Sequence, residues 1–157
     1  MNIREAVKKD IPKINNLLSQ VLEIHAKIRP DIFISGTTKY AEEELENLIE
    51  GEETIIYVAV NEEDEVIGYA FCMLKEQPFS TNMVPFHSMY IDDLCVDQTA
   101  RGLHVGQALF EYVKQEAKKR GCYEITLNVW EGNSSAKHFY EKMGLTPQKT
   151  QMEFILK

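Results

Sequence analysis

The sequence predicts an α/β fold, with a mixed, mostly antiparallel central sheet, helices on both faces and the element order βααβββαβαβ. Three observations carry this expectation. Segments rich in β-branched and aromatic residues, "TIIYVAV", "VIGYAFCML" and "YIDDLCV", crowd the middle of the chain, and the polar "NEEDE" separates the first two as a hairpin turn. The strand-like segments ending at Val96 and Trp130 flank a helical segment, the pattern of a right-handed parallel crossover. Further helix-period segments precede the first two of these strands and follow the crossover.

Taken in order, "NIREAV" reads as a first strand. Asp10 is placed to cap a helix with Pro12 in its first turn, which runs through "IPKINNLLSQVLEIHAKI" to Arg29-Pro30. A second helix is expected from about Thr38 to Ile49, then the hairpin, then "FHSMYIDDLCV" as a long strand. In the crossover, Val105, Ala108, Leu109, Tyr112, Val113 and Ala117 recur at helical spacing and Gly121 stops the helix. "YEITLNVW" follows as a strand, "SSAKHFYEKMG" as a helix closed by Gly144, and "KTQMEFIL" as a last strand. No repeat or linker divides residues 1–157, so a single domain is expected.

Composition narrows the function. A formal net charge of −8 argues against nucleic acid as a partner. The longest apolar run, Ile55–Val60, is too short to cross a bilayer, and the N-terminus has no secretory pattern, so no membrane partner is expected. Cys72, Cys95 and Cys122 fit neither a disulfide framework nor a metal site; reduced thiols in a cytoplasmic protein are the simplest reading.

The informative junction is "YIDDLCV" running through "DQTARGLHVG" into a helix. A strand that hands directly to a helix N-terminus through glycines exposes amide N–H groups and the positive end of the helix dipole, a site suited to phosphate. The absence of a Gly-Lys-Ser/Thr ending separates it from P-loop nucleotide sites. A second patterned segment, "NVWEGNSSAKHFYEKMGL", places Asn133 at a helix start, with Ala136, Phe139, Tyr140 and Met143 on one face.

Together these segments resemble the GNAT superfamily of acyl-CoA-dependent N-acetyltransferases. The resemblance in element order covers nearly the whole chain, and sequence detail is confined to Tyr90–Gly144. It implies the acyl-CoA N-acyltransferase fold, acetyl-CoA (coenzyme A) as co-substrate, no metal, and a small-molecule amine as acceptor. A homodimer is an assembly common in that superfamily. The pyrophosphate pattern R/Q-x-x-G-x-G/A reads here as Arg101, Gly102, Leu103, His104, Val105 and Gly106, followed by Gln107, with His104 at the middle glycine position. Histidine tolerates a positive φ better than a β-branched residue, and its ring either meets a phosphate or turns to solvent. By the same resemblance the strands around Leu94, Cys95 and Val96 and around Leu127–Val129 splay, freeing main-chain groups for pantetheine. Asn133 would reach the pantetheine arm, although helix capping alone accounts for it.

Acetyl transfer to an amine needs a neutral nucleophile, a stabilised oxyanion and help for the departing sulfur. Tyr140 resembles the family tyrosine beside the thioester. "YIDDLCV" resembles the acidic strand of polyamine acetyltransferases, which makes Asp92 the expected base and Asp93 a substrate or structural contact. Adjacent strand residues face opposite ways unless a bulge intervenes. Asn128 stands where ribosomal-protein N-terminal acetyltransferases carry a glutamate, so that acceptor class ranks lower. Glu131 is a reserve carboxylate. By resemblance, the acceptor wall falls to the first two helices and their loop: His25 and Arg29, at i, i+4 spacing, with Phe33, Phe79, Phe86 and Trp130 as candidate pocket lining. A non-catalytic acyl-CoA-binding module is the alternative from another class.

Overall fold

The computed structural model describes residues 1–78 and 80–157. The chain runs β1 (Asn2–Glu5), α1 (Ile11–Ile28), α2 (Glu42–Glu50), β2 (Thr54–Val60), β3 (Val66–Glu76), β4 (His87–Val96), α3 (Val105–Lys119), β5 (Glu124–Leu127) and α4 (Ser134–Lys142). Short 3-10 turns lie at Lys8–Asp10 and Gln98–Ala100. The strands lie in the order β1-β2-β3-β4-β5. The first three pairings are antiparallel and β4–β5 is parallel. This is the mixed, mostly antiparallel sheet the sequence predicts.

Each face of the sheet buries its own apolar layer. On one, Ile11, Ile14, Leu17 and Leu18 of α1 and Leu45 of α2 pack against Val58, Tyr69, Phe71 and Cys95. On the other, Val105, Leu109, Phe110, Val113 and Ala117 of α3 pack against Tyr57, Ala70, Cys72, Met89 and Ile91. The i, i+4 spacing of these α3 residues turns one stripe to the sheet, and period-two alternation sends neighbouring strand residues to opposite layers. Among the described residues, no helix is long and apolar enough to cross a membrane.

The alternation breaks in β3 at Ile67, which is left over between the Ala59–Gly68 and Val60–Val66 pairs, and again in β4. Met89 and Ile91 join the α3 layer, yet so do Leu94 and Val96, while Cys95 lies in the α1 layer. The register explains the change of parity: Phe71 pairs with Asp93 and Cys72 with Ile91, leaving Asp92 as an extra residue in β4. That is a β-bulge, which bends and twists its strand locally. Parallel pairing to β5 ends at Ile91 and Leu127, immediately before it. Among the described residues, β4 pairs only with β3 from Asp92 onward, so the splay expected between β4 and β5 would begin at the bulge.

Several sequence expectations need adjustment. The second helix begins at Glu42 rather than Thr38. Thr38 instead donates its hydroxyl to Asn15 and Lys39 pairs with Asp92, which ties that segment to other elements. Three glutamates then open α2, where the helix dipole favours them. Asp10 does not cap α1; its carboxylate accepts from Arg4 and from the Val7 amide and closes the preceding 3-10 turn. The expected last strand, "KTQMEFIL", forms no strand in the single chain and is exposed throughout. Its β-forming residues have no backbone partner there, and a strand is defined by its ladder.

Gly68 fixes how closely α3 approaches the sheet. A Cβ at this position would lie 3.0 Å from the Cys95 carbonyl oxygen and from Val105, and 3.1 Å from Leu109. Gly68→Ala is therefore expected to destabilise the fold by about 1–3 kcal/mol through overpacking. Urea unfolding measures this, and an unchanged midpoint would mean that α3 shifts freely on the sheet.

Candidate functional site

The bulge changes what the acidic pair can do. With Asp92 and Asp93 astride it, both carboxylates meet groups from the α1–α2 side. The Asp92 carboxylate accepts from Lys39 Nζ at 2.7 Å. Asp93 accepts from the Tyr69 hydroxyl at 2.6 Å. Desolvation raises the Asp93 pKa to about 6, opposed by the Tyr69 hydrogen bond and the nearby Lys39 charge. Tyr69 is held well above its ordinary value by burial and by Asp93. Burial dominates against Lys39's charged form, yet its pKa is still raised, because Asp92 and then Asp93 favour the ammonium.

Tyr140, on α4, comes toward the same carboxylate. Its phenol pKa is raised, first by burial and then by the charge of Asp93. The ring packs against Phe139, with centroids 5.1 Å apart, and the hydroxyl has no hydrogen-bond partner among the described residues. The Tyr140 phenol on α4 thus feels the charge of Asp93 on β4, next to Asp92 with its Lys39 ion pair. Lys39 and Tyr69 complete the group. Sequence reasoning missed both, since Lys39 sat in an expected helix and Tyr69 looked like one more core residue of a hairpin.

At the far end of β4, the chain passes the 3-10 turn and enters α3. His104 adopts φ 59 and ψ 28, the left-handed conformation, directly before Val105. That is the conformation in which histidine substitutes for glycine, and its ring is exposed. Gly102 has φ +87 with open space where a Cβ would stand. Arg101, Leu103 and Gln107 are also exposed. The earliest α3 backbone bond runs from the Ala108 amide to the His104 carbonyl, so the amides of Val105, Gly106 and Gln107 lack helical acceptors. Gly106 has a packing role besides: its Cβ would lie 3.2 Å from the Phe139 ring and 3.5 Å from Val96. Leu94 and Val96 turn their side chains into the α3 layer. Their main chains, past the last β4–β5 pair, border the splay. Cys95 is buried, its thiol pushed up to about 12 by burial, which suits core packing rather than nucleophilic chemistry.

These features fit coenzyme A. A run of unpartnered amides at a helix start suits a pyrophosphate, and a cleft edged by free strand backbone suits the amides of pantetheine. Asn133 accepts from the Ala136 amide at 3.3 Å, so it acts as a helix cap. Among the described residues, no group of three or more His, Cys, Asp and Glu is arranged to hold a metal ion.

The expected acceptor wall is only partly assembled. His25 and Phe33 pack with ring centroids 5.2 Å apart, and Phe33 meets Trp130 edge-on at 5.6 Å. Burial and then the charge of Lys39 lower the His25 pKa. Arg29 lies 5.7 Å over the Trp130 ring and pairs with Asp31 and Glu153, so it anchors a loop. Glu131 is exposed just beyond Trp130. Phe86 packs on Tyr123, at the opposite end of β5 from Trp130, and Phe79 lies outside the described residues. Asn128 donates to the Tyr90 hydroxyl at 3.1 Å.

Comparison with known proteins agrees with this fold. The family model described as "Acetyltransferase (GNAT) family" matches residues 18–145. A mutant of the BH1408 protein from Bacillus halodurans superposes over 100% of both chains with 34% identity and a TM-score of 0.95. Glucosamine 6-phosphate N-acetyltransferase of Arabidopsis thaliana is 29% identical over 65% of this chain and 65% of its own length. Peptidyl-lysine N-acetyltransferase YjaB of Escherichia coli is 35% identical over 64% of this chain and 57% of its own length. The matches thus span less than two thirds of these two curated relatives. With the family model covering residues 18–145, the chain belongs to the GNAT acetyltransferase family.

Proposed function

We propose that this protein transfers an acetyl group from acetyl-CoA to the primary amine of a small molecule, directly within a ternary complex. The observation that carries the reading is the convergence of Asp92, Asp93 and Tyr140 beside the splay, with unpartnered amides at its end. The amides of Val105 to Gln107 would hold the pyrophosphate of coenzyme A, and the main chain of Leu94–Val96 would hold its pantetheine arm. The thioester supplies the acyl group and a good leaving group. Asp92, which already holds the Lys39 ammonium, receives the substrate ammonium. Asp93, with a pKa of about 6, accepts the proton that leaves the nitrogen. These roles exchange the two acids relative to the sequence expectation, because Asp92 pairs with Lys39 while desolvation raises the Asp93 pKa and its charge acts on Tyr140. As the new C–N bond forms and the C–S bond breaks, the Tyr140 hydroxyl donates to the sulfur.

The acceptor is a compact amine, since His25, Phe33 and Trp130 close one side with aromatic surface. The lysine side chain of a peptide is the second reading, favoured by the similarity to the peptidyl-lysine acetyltransferase. Turnover of free amines against lysine peptides, followed by thiol release, distinguishes the two. Absence of thiol release with every amine would instead leave an acyl-CoA-binding module.

Deprotonated Asp93 is the active base, so kcat should fall as pH drops through about 6. Asp93→Asn is expected to abolish this acid limb and lower kcat by roughly 10²-fold or more. Asp92→Asn is expected to keep the limb and raise the amine KM. A limb lost in Asp92→Asn and retained in Asp93→Asn would return the base role to Asp92.

Tyr140→Phe removes only a proton donor. Acetyl-CoA affinity should stay near wild type while single-turnover transfer slows by about 10–100-fold, because thiolate needs little help to leave. Equal single-turnover rates would reduce Tyr140 to a packing residue.

The pyrophosphate loop is tested at Gly102. Gly102→Val meets no neighbour but disfavours the positive φ. Coenzyme A binding by calorimetry should weaken about tenfold or more with little change in melting temperature. This position isolates the loop, whereas a side chain at Gly106 would also press on Phe139.

A further inference from the structure

Lys39 stands where an acceptor amine belongs. Its ammonium donates to the Asp92 carboxylate at 2.7 Å, on the acid that the acyl-transfer reading gives to the substrate ammonium. Among the described residues, the other lysine ion pairs go to carboxylates outside the site, such as Lys13 with Asp97 and Lys119 with Glu116. Lys39 is the one lysine paired with an acid of the β4 bulge among those residues.

The chain on both sides of Lys39 is anchored. Thr38 donates its hydroxyl to Asn15 of α1 at 2.9 Å. Tyr40 stacks on Phe71, with ring centroids 5.9 Å apart and planes 7° from parallel. Phe71 is buried and pairs with Asp93 in the register of β3 and β4. Lys39 Nζ lies 5.5 Å from the centroid of the Tyr40 ring. A backbone tied to α1 before the lysine and to β3 after it spares the side chain most of its search, so the amine has a high effective concentration at Asp92. The side chain is nevertheless 46% exposed, so the nitrogen is not sealed in. Asp93 is the next residue, and the Lys39 charge acts on it. One acid therefore holds the lysine nitrogen while the neighbouring one stands ready to take its proton. A lysine of the same chain meets this arrangement as an arriving amine would.

We propose that the protein acetylates its own Lys39 when acetyl-CoA is bound and no acceptor occupies Asp92. The inference rests on the acyl-transfer reading. The Lys39 ammonium gives one proton to Asp93, which passes it to solvent, and the freed lone pair forms a C–N bond to the thioester carbonyl carbon. The C–S bond breaks with its electron pair on sulfur, and the second proton leaves the nitrogen for that sulfur. Free thiol and a neutral Lys39 amide result, and Asp92 loses its cation. An acceptor seated on Asp92 displaces Lys39 and spares it, so the mark records a supply of acetyl-CoA that outlasts the acceptor.

The full chain is incubated with acetyl-CoA and no amine, and its lysines are followed by peptide mapping with mass spectrometry. Lys39 is expected to gain the acetyl group about tenfold or more faster than the mean of the other lysines. Its rate per chain should not change with protein concentration, and one thiol should appear for each mark. Asp93→Asn should slow the mark roughly 10²-fold and leave the slow chemical acetylation of other lysines unchanged. A second readout needs no acetyl-CoA. Burial lowers the Lys39 pKa but Asp92 more than offsets it, so heteronuclear NMR of the lysine ammonium groups should show Lys39 titrating above its ordinary value, and Asp92→Asn should remove that elevation. Thiol release with any free amine but an unmarked Lys39 would overturn this inference and leave the acyl-transfer reading intact. No mark and no thiol release with any amine would remove both. Uniform marking of all lysines, a rate per chain that rises with protein concentration, or an ordinary Lys39 titration would each overturn it as well.

Discussion

The site depends on one extra residue in a strand. Asp92 interrupts β4 opposite Phe71 and Cys72, and three consequences follow from that insertion. The strand bends at the bulge, and pairing with β5 stops at Ile91, just before it. The backbone of Leu94–Val96 is left free on the side facing the gap. Two adjacent carboxylates that a regular strand would send to opposite faces both come under the influence of Lys39. A cleft for an acyl carrier and a pair of acids beside it thus share one cause.

Around that interruption the two apolar layers do the holding. α1 and α2 cover the face that carries Tyr69 and Cys95, and α3 covers the face that carries Met89, Ile91 and Leu94. Desolvation from the first layer is what raises Asp93 toward neutrality, since the same burial that stabilises Tyr69 and Phe71 removes water from the carboxylate. The second layer sets where α3 begins, and with it the free amides at its start. Electrostatic tuning and phosphate binding therefore come from opposite faces of one sheet.

Much of this was legible in the sequence. Period-two and period-3.6 patterning marked the sheet, both layers and the crossover, and glycines with His104 marked the junction, because those signals are local. The bulge was not legible: "YIDDLCV" reads as a regular strand, and only cross-strand register shows that Asp92 has no partner. Lys39 was hidden because nothing local says that a loop lysine will reach a carboxylate on β4. The tail misled in an instructive way. "KTQMEFIL" has the composition of a strand, but composition does not supply the neighbouring backbone that a ladder needs.

The bulge also separates architecture from chemistry in a way that can be counted in residues. Cross-strand neighbours on β3 and β4 share a layer on both sides of the interruption: Cys72 with Ile91, and Ala70 with Leu94. Excising Asp92 would leave every remaining β4 side chain on the face it now occupies and would restore an unbroken ladder. The hydrophobic core places no demand on that residue. A lineage descended from the same fold could lose or gain the site by a single codon in frame, with the sheet almost indifferent to the change.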